Sequence, residues 1–116
     1  MSRFPRSVYE LGEEPDPRFS LANERTFLAW IRTSLALVAA GVALEVLQVG
    51  QPGWRLAAAL VFAALGVLAA VRGWVGWTGT ERALRRDEAL PSPAIGLVLV
   101  VGIVVAVALI VVGVAV

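Results

Sequence analysis

The chain has 116 residues, 59% of them apolar and 16% charged, with a net charge of +1 and a mean hydropathy of +0.80. So much apolar surface exceeds what one small core can bury, which excludes an ordinary soluble domain and points to a membrane protein. The absence of Cys and His removes disulfides, thiol and imidazole chemistry and the commonest transition-metal ligands, so no cofactor or metal is expected.

In chain order, residues 1–15 mix Pro, Glu and Arg without periodicity and are expected to form a mobile tail. Asp16 followed by Pro17 suits an N-cap and first turn, with Ser20 as a competing cap. If Asp16 caps, one helix carries Arg18, Arg25 and Arg32. Seven residues is nearly two turns, so the three guanidinium groups would share a face at intervals of roughly 10.5 Å. Leu21, Leu28 and Leu35 repeat at the same interval on an adjoining stripe, suited to a neighbouring helix.

Three apolar segments reach the spanning length of roughly 20 residues: about 27–47, 54–77 and 94–116. Gln48 to Gly53 make a short polar turn, so the first two spans form an antiparallel hairpin. The second connection holds Glu81, Arg82, Arg85, Arg86, Asp87 and Glu88, and its acidic residues read as a solvated charged face. Glu81 and Arg85, four apart, suggest that the second helix continues past the bilayer. Ser92 and Pro93 would cap and begin the third span. Residues 16–116 thus form one all-α membrane domain of three transmembrane helices.

The arginine distribution predicts the topology. Arg3, Arg6, Arg18 and Arg25 precede or open the first span and Arg82, Arg85 and Arg86 follow the second, whereas the first loop offers only Arg55. By the positive-inside rule the N-terminus is inside and the C-terminus outside. Trp30, Trp54, Trp74 and Trp77 fall near span ends, as interfacial aromatics do. Counting back from Leu47 puts Arg32 about five residues inside the cytoplasmic boundary, with Arg72 at a similar depth. Arg25, Arg32 and Arg72 then form a basic layer near which only Glu24 supplies negative charge. Arginines so placed also serve as topology anchors, and a coiled-coil seam equally accounts for the heptad. Because lipid-facing Arg is costly, a homo-oligomer around the arginine-bearing face of the first helix is expected. Small-residue pairs mark helix contacts: Ala59/Ala63, Gly66/Ala70 and Ala69/Gly73 on the second span, and Gly102/Ala106 with Gly113 on the third.

The run from Leu21 to Leu35, LANERTFLAWIRTSL, resembles the signature of the YidH-like bacterial membrane family. The same domain forms the small membrane subunit of the eukaryotic vacuolar transporter chaperone, a polyphosphate polymerase complex. The resemblance covers all three spans and is most specific at Asn23 to Leu28 and Trp30. It implies a bundle, five subunits by analogy, whose first-helix basic residues line a polyphosphate path. Arg18 and Arg25 match two of those positions. A third falls near Thr80, with Arg82 as the nearest basic substitute. The resemblance covers the membrane domain alone, so polyphosphate synthesis is not expected of this chain.

No catalytic constellation accompanies these features. Thr33 and Ser34 lack a nearby base, and there is no phosphate-binding loop of glycine and lysine. Neither an enzyme nor a nucleic-acid partner is expected. Two function classes remain at this stage. One is a multi-pass inner-membrane anion conduit or binding pore, with phosphate or polyphosphate held by Arg18, Arg25, Arg32, Arg72 and Arg82 and supported by Asn23, Glu24 and Trp30. The other is a non-conducting scaffold or assembly subunit holding anionic lipid and partner proteins.

Overall fold

A computed structural model describes residues 5–10, 12–86 and 95–116. The helices are α1 (Arg6–Tyr9), α2 (Pro17–Val46), α3 (Pro52–Arg86) and α4 (Ile95–Ala115). The last three are each long and apolar enough to cross a membrane. At 1.5 Å per residue α4 is about 32 Å long, one hydrocarbon thickness, whereas α2 and α3 reach about 45 and 52 Å. The long dimension of the molecule is 58 Å. The α2–α3 hairpin therefore projects beyond α4 at one end.

The projecting end is identified by the turn at the other. Val46 closes α2, Gln48 and Gly50 take φ values of 52° and 75°, and Pro52 opens α3. Gly50 needs no Cβ in that left-handed conformation, and its Cα lies against the Gly113 backbone. The Gln51 N–H donates to the Gly113 carbonyl at 3.0 Å, fastening the turn to the end of α4. Arg55 pairs with Glu45 across the turn at 3.4 Å. The extension thus lies at the opposite, arginine-rich end.

α3 is the centre of the protomer; α2 and α4 pack along it and not on each other. The α2 seam uses Ala59, Gly66 and Gly73, one every seven residues, against Gly41, Ser34 with Val38, and Trp30 respectively. A Cβ at Gly66 would stand 3.0 Å from the Ser34 carbonyl oxygen, and one at Gly73 2.8 Å from the Trp30 Cβ. Close approach lets the Ser34 hydroxyl donate to the Gly66 carbonyl at 2.6 Å. On the other seam Gly102 meets Leu65, Ala106 is buried, and Gly113 meets Trp54. Small residues let backbones approach where apolar burial alone gives no preference for helix over lipid. The rest of α4 is apolar on all sides and almost wholly exposed, as a lipid-facing span should be.

These contacts set an antiparallel register. Extending the Gly113–Trp54 and Gly102–Leu65 contacts puts Ile95 level with Arg72, and extending Gly66–Ser34 and Gly73–Trp30 puts Arg72 level with Ile31. Arg32 and Arg72 thus lie level with the first described residues of α4. Arg25 stands about 10 Å farther out along α2.

One expectation changes. The segment expected to be a mobile tail contains α1 and packs on α3: Val8 is fully buried, and the Glu13 N–H donates to the Arg85 carbonyl at 3.3 Å. α2 begins at Pro17 with Asp16 as its cap, as the Asp16–Pro17 pair leads one to expect, ten residues before the apolar span. The expected Ser92–Pro93 cap, Asp87, Glu88 and Ala94 lie outside the described residues.

Candidate anion-binding site

Asp16 makes the arginine ladder continuous. Its carboxylate accepts from the Arg18 backbone N–H at 2.9 Å and pairs with the Arg18 guanidinium at 2.8 Å. The Arg18 side chain and then its backbone N–H hold the Asp16 carboxyl below the ordinary aspartate range. Ser20, released from capping, donates to Glu81 Oε1 at 2.8 Å. Arg18, Arg25 and Arg32 consequently stand on one helix, but Arg18 arrives with its own counterion.

The other arginines divide by what they touch. Arg82 donates to the Ser7 carbonyl and hydroxyl at 3.3 and 3.2 Å. Arg72 lies over the Trp30 ring, 5.5 Å from its centroid, a cation–π contact that also occupies the expected interfacial tryptophan. Arg86 is exposed in the last turn of α3, where a cation offsets the helix dipole. Arg25 and Arg32 are exposed and, among the described residues, have neither an ion pair nor a hydrogen bond. Leu21, Leu28 and Leu35 beside them are at least half exposed, so this stripe of α2 is not buried in the protomer. Of the five arginines expected to form the site, only Arg18 meets a carboxylate, and Arg25 and Arg32 are the two with no ion pair, hydrogen bond or ring contact among the described residues.

Glu81 departs most from the sequence expectation. Rather than sitting on a solvated face, it is 2% exposed. The extension of α2 covers it: Ser20 and Asn23 donate to its two oxygens, and Asn23 also donates to the Trp77 carbonyl at 3.0 Å. Arg85, also buried, approaches Glu81 at 3.8 Å, pairs with Glu14 at 3.0 Å, donates to the Tyr9 carbonyl and lies 4.8 Å from the Tyr9 ring centroid. Asn23 therefore belongs to this structural network. The Glu81–Arg85 spacing was visible in sequence, but its burial depends on a tertiary contact with Ser20 and Asn23.

Two of the grooves that flank the extension bear on the arginines and on Glu24. One, of about 380 Å³, is lined by Arg25, Thr26, Ala29, Trp30 and Thr33 of α2 and Leu99 of α4. The other, of about 290 Å³, is lined by Glu24, Phe27, Leu28, Trp74 and Trp77, with the two tryptophans stacked 5.6 Å apart. Glu24 thus opens on a different groove from Arg25, its sequence neighbour. Among the described residues no carboxylate cluster has an arrangement that would hold a metal ion.

Comparison with known proteins gives this architecture a family. Residues 18–83 match the family model described as Domain of unknown function (DUF202). The chain is similar to the inner membrane protein YidH of Escherichia coli, 48% identical over 72% of this chain and 75% of that protein. It is also similar to an uncharacterized protein of Mycobacterium tuberculosis, 50% identical over 67% of this chain and 66% of that one. No solved structure matches the chain. The matched region covers the arginine ladder, the hairpin and Glu81, and the chain is a multi-pass bacterial inner-membrane protein belonging to the DUF202, YidH-like family.

Proposed function

We propose that this protein binds phosphate-bearing anions at the cytoplasmic end of α2 through Arg25 and Arg32, within a homo-oligomer that brings the α2 faces together. The observation carrying the reading is that, among the described residues, Arg25 and Arg32 of α2 are exposed and make no ion pair, hydrogen bond or ring contact, whereas Arg18, Arg55 and Arg85 each meet a carboxylate, Arg82 donates to Ser7 and Arg72 lies over Trp30. A planar guanidinium can offer two parallel donors to a phosphate, and two such groups on one helix face suit a ligand carrying several oxygens.

The arginine bias toward the projecting end supports an inside N-terminus and outside C-terminus. The Leu21, Leu28, Leu35 stripe supports assembly, since it lies beside the arginines and stays at least half exposed in the protomer. The resemblance to the vacuolar transporter chaperone subunit supports polyphosphate as a ligand and a pore along the assembly axis.

Binding of pyrophosphate and short polyphosphate to protein in uncharged nanodiscs tests the reading. R25Q should weaken binding and R25Q/R32Q should weaken it further, with affinity falling as salt screens the contacts. Equal binding by wild type and the double variant, with the oligomer intact, would remove the proposed site.

A further inference from the structure

We infer that the groove between α2 and α4 is a phospholipid site, with the lipid phosphate on Arg25 and the beginning of one acyl chain along Ala29, Thr33 and Leu99. This rests on Arg25 binding a phosphate-class anion and adds the source of that phosphate: the cytoplasmic leaflet. The groove exists because α2 and α4 share α3 without touching one another. Its lining is mostly apolar, and Arg25 is its one charged residue. The Thr26 hydroxyl already donates to the Ala22 carbonyl at 3.2 Å.

Depth matches the chemistry. By the helix register, Arg25 stands about 10 Å beyond Arg32 and the first described turn of α4, toward the headgroups of a bilayer spanned by α4, while Thr33 and Leu99 lie alongside the apolar part of the bundle. One end therefore offers an exposed, unpaired cation for the phosphate, and the other offers apolar surface for the acyl chain. A free polyanion would leave its next charges against hydrocarbon in this groove, which is costly. An amphiphile with one anionic head satisfies both ends. The volume, about 380 Å³, is at the lower end of the roughly 300–1,000 Å³ usual for ligand clefts and accommodates a headgroup with part of one chain.

The test uses full-length protein in phosphatidylcholine nanodiscs containing a trace of phosphatidylglycerol with a photoactivatable group in one acyl chain. Cross-links should concentrate at Ala29, Thr33 and Leu99. R25Q and the groove-filling Ala29→Phe should each reduce them about tenfold, the consequence expected for loss of a charge-assisted contact or of the chain's space. Leu99→Trp, which closes the groove from α4, should do the same. Pyrophosphate binding should fall in R25Q and persist in Ala29→Phe. Cross-links spread evenly around α4, or unchanged in all three variants, would overturn the lipid site. If R25Q loses pyrophosphate while lipid labelling is unchanged, the anion reading stands and the lipid inference falls.

Discussion

Arg85 and Arg25 lie at the same end of one molecule yet have opposite surroundings. Arg85 is enclosed by Glu14, Glu81 and Tyr9, and its side chain is 2% exposed. Arg25 is exposed and, among the described residues, unpaired. The first holds the N-terminal segment to α3; the second has charge to offer a ligand. Arginine number alone therefore says little about anion binding, because the compensated residues are structural parts.

The largest effect should come from breaking the enclosed region. Arg85→Ala leaves Glu81 buried without its cation and should destabilise the fold on the order of 3 kcal/mol, whereas R25Q should be nearly neutral in the same denaturation measurement. Comparable losses in the two variants would erase the distinction.

Overfilling the seam should come next. Gly66→Val places new atoms against Val38 and the Ser34 carbonyl and should cost about 1–3 kcal/mol, measured by unfolding in detergent. The hairpin would have to separate, while the arginine face on the opposite side of α2 would keep its composition.

Ser34→Ala tests one polar contact within the same seam. Loss of its 2.6 Å bond to the Gly66 carbonyl should cost about 0.6 kcal/mol, the average for interhelical hydrogen bonds in membranes. An effect several times larger would make that bond, rather than small-residue packing, the main tie between α2 and α3.

The smallest effect concerns the exposed pair at the start of α2. Because Arg18 lowers the Asp16 carboxyl pKa in the folded protein, the contribution of this contact is present above the unfolded aspartate value and fades as pH falls through the folded one. Carboxyl-carbon NMR should find Asp16 titrating below an ordinary aspartate, with Arg18→Gln moving it upward. An unchanged titration would remove the side-chain ion pair from the cap.

Much of the membrane architecture was legible because length and hydropathy act locally. The apolar runs, the Gln48–Gly53 turn and the Asp16–Pro17 start all appear as helices or their boundaries. The seam was legible in kind, since small residues mark close approach, but the selection of Ala59, Gly66 and Gly73 required the helix register. The arginine ladder likewise followed from helical spacing. Its energetics did not, because compensation comes from distant residues. Glu81 looked solvated until Ser20 and Asn23 covered it, and the N-terminal segment looked structureless because its order depends on Arg85 and a buried Val8. Groove formation was equally nonlocal: neither α2 nor α4 contains the space that opens between them.

The most direct test of paired against available arginine is an NMR titration of ¹⁵N-arginine-labelled protein in uncharged nanodiscs with pyrophosphate. Arg25 and Arg32 Nε–H signals should move together and saturate, while Arg85 remains in place and high salt suppresses the response. Saturating shifts at Arg85 with Arg25 and Arg32 unchanged would contradict the account.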